Sequence, residues 1–507
     1  LINITFSPAK VIAIPFAYPH LVRNLPTMMS DELNKLAIEL EKIDAFMLRS
    51  EQDFGYLLEQ VHPSQHKNAV NLLHYLALRS MDIRDLQDSL HEVGLSSMTS
   101  AESHIRGQVL AIQQRMGLDK TLSDQVLTYA TSKESMAQKS VALFGQKPME
   151  PVPYIMLTFD SSLADDYEKV KNLLQSGMNI ARINCAHDSE SVWLRMIQHV
   201  KRAATATGLN CKIYMDLAGP KIRTAFHKQD KLNIEVGKHI YLVDQNHLDK
   251  DKATVGCTLI GIVEQLNPGE SVLFDDGLIE ARVEKIEGHR AKLKILRISK
   301  KKPVIKAEKG INFPDSILTT PALTDYDKKC LSFIEEHADM VGYSFVRNNK
   351  DIIQLHEALG ENQKLDLVIK IETPEAVKNL PDLLFCGMRR ENVGVMIARG
   401  DLAVEIGFER MSEIQEEILW ICEAAHVPVI WATQVLENLN KSGMATRSEV
   451  TDAAHAALAD CVMINKGNYI IQTMETLRDI LLRSGGHHVK KRYTFRPLSI
   501  AMRFMTR

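Results

Sequence analysis

Two stretches of the chain end in charged groups that could do chemistry. Val368-Ile369-Lys370-Ile371-Glu372 sets a lysine and a glutamate two apart, and Ala398-Arg399-Gly400-Asp401 closes the next apolar run on an acid. Alternate residues of a strand face the same side, so Lys370 and Glu372 can address one substrate. Asp401, at the end of a following parallel strand, can share a divalent ion with Glu372. A lysine beside such an acidic pair points to metal-assisted phosphoryl chemistry. An isolated Lys-x-Glu is ordinarily a salt bridge between strand ends. The elements that carry these residues decide between the two readings.

A chain of 507 residues exceeds what one core usually supports, so two or three domains are expected. Its formal net charge of −3 offers no basic field to recruit nucleic acid or an anionic membrane. The seven cysteines stand singly without a CxxC spacing, which argues against a zinc ribbon or a disulfide scaffold and suits a reducing, cytoplasmic location. No apolar stretch is long enough to span a bilayer, and the opening run Val11 to Phe16 is short, broken by Pro15 and without a basic flank. Residues 1–29 are read as a leader of undetermined structure.

Residues 30–147 read as a helical module. Leu33, Leu36, Ala37 and Leu40 recur at helical spacing, as do Leu72, Leu73, Leu76 and Ala77. After a proline-rich linker at Pro148 to Pro153 the pattern changes to eight short apolar runs, each closing on a polar residue. They are Ile155–Thr158, Ile180–Asn184, Ile213–Asp216, Met340–Ser344, Val368–Glu372, Val393–Ala398, Val429–Thr433 and Val462–Asn465, with helical patterns such as Tyr167–Ser176, Ser189–Thr205 and Glu413–Ala425 between them. Alternating strand and helix with functional groups at the strand ends predicts an α/β fold, a (β/α)8 barrel split into residues 151–224 and 311–485. Between the two parts, residues 225–310 alternate with period two: Ile279, Ala281 and Val283 against Glu280, Arg282 and Glu284, with turn chemistry at Asp275-Asp276-Gly277. This predicts a small inserted β domain placed to act as a lid. Residues 486–507 read as a solvated basic tail.

On these residues the chain resembles the pyruvate kinases. The segments that carry the resemblance are SGMNIARIN (Ser176 to Asn184), MDLAGPKIRT (Met215 to Thr224), DDGLI (Asp275 to Ile279), KGIN (Lys309 to Asn312), IKIE (Ile369 to Glu372), ARGDL (Ala398 to Leu402), ATQVL (Ala432 to Leu436) and ATRSE (Ala445 to Glu449). Each is weak alone; eight in order are specific. The resemblance implies transfer of the phosphoryl group of phosphoenolpyruvate to ADP in glycolysis, giving pyruvate and ATP. It also implies Mg2+ or Mn2+ held by Glu372 and Asp401. Lys370 would neutralise the phosphoryl group in flight, and Arg182 would bind phosphate. Thr433 and the backbone at Gly400 would line the substrate-carboxylate pocket, with Thr433 near the face where pyruvate enolate is protonated. Asn184, His187, Arg223 and Lys309 match nucleotide-phosphate contacts. Asn184, Asp216 and Lys221 mark the monovalent-cation region. Potassium-independent members have lysine at the position of Lys221, so K+ is not expected to be required. Association of copies through the barrel is left open.

The chain also departs from the family. The first strand carries Leu157-Thr158-Phe159-Asp160-Ser161-Ser162 in place of a Thr-Ile-Gly-Pro-Ala-Ser type motif. Ala186, Ala218 and Glu308 stand where serine, lysine and lysine are expected, and the eighth strand runs into Asn465-Lys466-Gly467-Asn468-Tyr469 in place of Ser-Gly-Glu-Thr-Ala. The resemblance further implies that the effector domain with its sugar-phosphate site is absent. Two other readings are therefore carried: a metal-dependent enolate-stabilising lyase or aldolase, and a catalytically impaired regulatory relative.

Overall fold

The computed structural model describes residues 26–147, 152–248, 253–299, 301, 303–316, 318–360, 364–485, 488–489 and 492–493. The expectations for residues 1–25, for positions 148–151 of the linker and for most of the basic tail lie outside the described residues.

Eight parallel strands close into the barrel. They are β1 (Tyr154–Thr158), β2 (Ile180–Asn184), β3 (Lys212–Asp216) and, after an excursion, β13 (Met340–Tyr343), β14 (Asp366–Ile371), β15 (Val393–Ala398), β16 (Val429–Ala432) and β17 (Cys461–Ile464), in the order β1-β17-β16-β15-β14-β13-β3-β2. The excursion holds β4 (Thr224–Ala225), β5 (Lys231–Asn233), β6 (His239–Asp244), β7 (Thr254–Cys257), β8 (Ser271–Phe274), β9 (Ile279–Glu287), β10 (Arg290–Ile298), β11 (Val304–Lys306) and β12 (Ile311–Asn312). They form a seven-stranded sheet and a two-stranded ribbon. Period-two burial on β9 and β10 puts Ile279, Ala281, Val283, Ala291, Leu293 and Ile295 into a core of its own, apart from the barrel. The hairpin between β8 and β9 turns through Asp275, Asp276 and Gly277 at φ of 55°, 56° and 78°, a left-handed stretch that aspartate and glycine tolerate best.

Among the described residues six α-helices precede the barrel: α1 (Pro26–Asp53), α2 (Gly55–Leu58), α3 (His66–Arg79), α4 (Arg84–Glu92), α5 (Ile105–Arg115) and α6 (Tyr129–Phe144). The first thus begins inside the stretch read as a leader, since Pro26 suits the opening turn of a helix. These helices share one apolar core with the outer face of the barrel, where Leu40, Leu72 and Ile105 join Leu331, Leu355 and Ile418. Polar contacts key the join: Asn71 Nδ2 donates to Ala424 O at 2.8 Å, and the ring of His426 meets Ser103 O at 2.8 Å. The end of α6 reaches further. Leu143 and Phe144 are fully buried among the inward residues of the barrel, including Tyr154, Ile180 and Val368. Gly394 on β15 makes the room, because a Cβ there would lie 2.6 Å from Leu143 Cδ2. No helix among the described residues is long and apolar enough to cross a membrane.

Candidate active site

Barrel strands point every second residue inward, so each contributes to stacked interior layers. The lower layers are apolar: Met156, Ile180, Tyr214, Met340, Val368, Met396 and Ile430. One step further along the same strands the inward positions become Thr158, Arg182, Asp216 and Lys370, and the chain just past β13 adds Ser344. The change from apolar to charged coincides with the C-terminal mouth of the barrel. A cleft of about 610 Å3 opens there.

Asp216 is the centre of this cluster. Arg182 Nη2 donates to its Oδ2 at 2.5 Å and Lys370 Nζ lies 3.2 Å from the same oxygen. Tyr214 Oη donates to Oδ1 at 3.1 Å. Gly342 permits this arrangement, since a Cβ there would sit 1.8 Å from Tyr214 Oη and 2.5 Å from Asp216 Oδ1. Lys370 also reaches Ser344 Oγ at 2.6 Å and Glu372 Oε1 at 3.0 Å, and Arg182 donates to Thr158 Oγ1 at 2.9 Å. Burial works against the Lys370 ammonium, but Asp216 and Glu372 outweigh it, so its pKa is raised and the side chain stays cationic. Burial likewise disfavours the Asp216 carboxylate, and Lys370 with Arg182 reverses that, holding it ionised below the usual carboxylate range.

Glu372 lies just past β14, only 2% exposed, with Phe345 N donating to its Oε2 at 2.7 Å. Burial pushes its carboxyl above the ordinary range, and the charge of Asp401 adds to the shift. Asp401, in the first turn of the helix Arg399–Ile406, accepts from Lys221 Nζ at 2.7 Å. Among the described residues no cluster of three or more His, Cys, Asp or Glu side chains is arranged to hold a metal. Two hard carboxylates on one cleft nevertheless suit magnesium or manganese, whose remaining positions go to substrate oxygens and water. Charge points the same way. Arg182, Lys370 and Lys221 already face Asp216, Glu372 and Asp401, so an entering phosphate ester would bring uncompensated negative charge. The residues present fit a divalent cation.

The cleft brings together nine residues singled out from the sequence: Arg182, Asn184, His187, Asp216, Lys221, Arg223, Lys370, Glu372 and Asp401. The other three, Gly400, Thr433 and Lys309, are not among its lining residues. Thr433, at a left-handed φ of 67°, accepts the backbone N–H of Gly400 at 2.7 Å, and Lys309 pairs with Asp275 at 2.9 Å on the inserted sheet. Asn184 Oδ1 accepts from Ala186 N at 3.0 Å. Burial, with help from Lys466 and Arg223, lowers the pKa of His187, so it faces the cleft as a neutral imidazole at pH 7.

Sequence reasoning passed over several groups. Ser344 and Thr158 were legible only as the ends of apolar runs. Tyr214 was not singled out, although it stands two before Asp216 on the same strand face. Arg399 was quoted for its motif without a role; its side chain donates to Ala432 O at 3.0 Å and Thr433 O at 2.6 Å, and it pairs with Asp452. Lys466 lines the cleft from the divergent eighth-strand loop. That loop is built around buried Asn440, which donates to Asn465 O at 2.6 Å and accepts from Tyr469 N at 3.0 Å.

Comparison with known proteins follows the same segments. The sequence pattern described as "Pyruvate kinase, barrel domain" matches residues 153–474. The chain is similar to a protein named pyruvate kinase from Bacillus licheniformis, 31% identical over 330 residues, covering 63% of this chain and 55% of the relative. It is also similar to a probable cytosolic isozyme of Arabidopsis thaliana, 32% identical over 302 residues, covering 58% and 59%. A cytosolic isozyme of Nicotiana tabacum is 33% identical over 302 residues, covering 58% of each chain. The chain thus spans little more than half the length of these relatives.

Proposed function

The chain belongs to the pyruvate kinase family, and from that premise we propose that it transfers the phosphoryl group of phosphoenolpyruvate to ADP, giving pyruvate and ATP. The observation that carries the reading is Lys370, buried at the barrel mouth and kept cationic between Asp216 and Glu372, with Arg182 bound to the same aspartate. Arg182 and Lys370 bind the phosphoryl oxygens of phosphoenolpyruvate. Lys370 matters most as charge spreads over the phosphoryl group in transit, because a fixed cation in a water-poor site needs no reorganisation. Glu372 and Asp401 would hold Mg2+ or Mn2+, which supplies Lewis-acid neutralisation of the phosphoryl and enol oxygens. Gly400 and Thr433 border the substrate carboxylate. Thr433 accepts from the Gly400 N–H and so keeps its own hydroxyl proton for donation toward the enolate.

Asn184, neutral His187 and Arg223 line the nucleotide side of the cleft, and Lys309 approaches from the inserted sheet, which serves as the lid. Lys221 supplies a tethered ammonium beside Asp401, and Ala186 offers no hydroxyl ligand, so potassium is not required. A cytoplasmic, glycolytic setting follows from the substrates. The lyase or aldolase reading through a Schiff base is disfavoured, because such a lysine needs its pKa lowered and that of Lys370 is raised.

A coupled assay of the purified chain with phosphoenolpyruvate, Mg2+ and a panel of nucleoside diphosphates tests the proposal. Pyruvate should form only with metal and a diphosphate present. Turnover of phosphoenolpyruvate without a diphosphate would favour the metal-dependent lyase or aldolase reading, and binding of phosphoenolpyruvate without any turnover the regulatory one.

A further inference from the structure

The loop that follows β17 puts into the cleft a cation that the chemistry above leaves without a role. Lys466 shares the lining with Asn465, His187 and Arg223. Its backbone is held on both sides. Asn440, 2% exposed on the helix Glu437–Ser442, ties down Asn465 and Tyr469 through the two hydrogen bonds described above. Gly467 packs so closely on the same amide that a Cβ would lie 2.3 Å from Asn440 Cγ. Only the exposed side chain of Lys466 is left to move, so an anion entering the cleft meets an ammonium on a fixed stem.

Charge pairing divides the cations of the cleft into two groups. Arg182 and Lys370 face Asp216, Lys221 faces Asp401, and Lys441 faces Glu437. Lys466 and Arg223 have no carboxylate partner among the described residues; Arg223 Nη1 donates to Glu308 O at 3.2 Å. Both act on one spot. After burial, Lys466 is the strongest of the charges that lower the pKa of His187, Arg223 comes next, and Asp188 opposes them with a smaller effect. Two uncommitted cations around a neutral imidazole suit a polyanion, and phosphate oxygens accept from a lysine ammonium at almost any approach. Ala218, where the resemblance leads to the expectation of a lysine, also lines the cleft. The eighth-strand loop thus supplies from one wall a charge that the loop after β3 lacks.

We propose that Lys466, together with Arg223, binds the phosphates of the nucleoside diphosphate and sets the affinity of the cleft for that substrate. The assignment rests on the phosphotransfer reading above, which brings the diphosphate into this cleft.

Steady-state kinetics of the full chain, with ADP and phosphoenolpyruvate varied separately, are paired with calorimetric titration of ADP in the presence of Mg2+. Lys466→Met should raise KM and Kd for ADP on the order of tenfold, the scale of losing one charge-assisted hydrogen bond. KM for phosphoenolpyruvate should stay within about twofold, because Lys370 and Arg182 hold that substrate. Lys466→Arg should keep most of the affinity for ADP, and high salt should narrow the gap between parent and Lys466→Met. Unchanged KM and Kd for ADP in Lys466→Met, or an equal rise in KM for both substrates, would overturn the role of Lys466 while pyruvate formation by the parent chain keeps the reaction. A parent chain that binds ADP without forming pyruvate would overturn the reaction instead, and Lys466 is then judged on Kd alone. No binding of ADP by the parent chain would overturn both.

Discussion

Lys370 concentrates the residue-scale argument, because three acceptors surround one buried ammonium: Asp216, Glu372 and Ser344. Lys370→Met should leave metal and phosphoenolpyruvate binding measurable and lower kcat by roughly 10²–10³-fold or more, the scale of losing one fixed charge that acts on the transition state. Single-turnover measurement beside equilibrium titration separates the two effects; unchanged turnover would remove Lys370 from the mechanism. Lys221 yields a second test. Its ammonium reaches Asp401 inside the cleft at 2.7 Å rather than pointing to solvent. Activity in tetramethylammonium buffer should equal that in potassium, and Lys221→Glu should create a potassium requirement by exchanging a fixed cation for an anion that a solution ion must balance. Strong potassium activation of the parent chain would contradict this.

At the scale of elements, the contact between the helix Arg399–Ile406 and the inserted sheet should respond to pH. Glu405 on that helix accepts from Asn312 Nδ2 of β12 at 2.7 Å, and burial lifts its carboxyl to about 7 despite that bond. The unfolded chain releases this proton near the ordinary value of 4.5, whereas the folded chain keeps it to about 7. Between those values the folded state binds more protons, so stability falls as pH rises through the window and stays lower above it. Glu405→Gln should flatten that dependence and stabilise metal-free protein at pH 8 by on the order of 2 kcal/mol. Urea titrations at pH 5 and pH 8 check it; equal slopes for parent and variant would show that Glu405 does not titrate in this window.

For the whole molecule, the core shared by the N-terminal helices and the barrel predicts joint unfolding. Leu72 on α3 is fully buried in that core, and Leu72→Ala should cost about 2–5 kcal/mol through lost contacts and the cavity left behind. The loss should appear in the emission of Trp431, fully buried on barrel strand β16, as well as in helical circular dichroism. A barrel signal that ignores Leu72→Ala would mean that the helices fold as a separate unit. The inserted sheet packs a core of its own, so its unfolding should respond less to Leu72→Ala than that of the barrel.

The amino-acid sequence by itself determined the eight barrel strands to within a residue or two at either end, the alternation on β9 and β10, and the positions at strand ends where chemistry is possible. Those features are local: a period of two, a turn residue or an apolar run is written within a few neighbours. Which charge meets which was decided only by the tertiary structure. Lys370 and Asp216 are 154 positions apart and Lys221 and Asp401 are 180 apart, so their pairing exists only once the barrel has closed. The same holds for Asp216, read from the sequence as a monovalent-cation ligand and placed by the fold between two cations, and for Thr433, whose hydroxyl is turned to the Gly400 backbone. It holds equally for α6, which falls within the stretch read only as a helical module yet ends inside the barrel beneath the site, because Gly394 leaves space for Leu143. Periodicity says which face of an element is apolar; ring closure and core packing choose what that face meets.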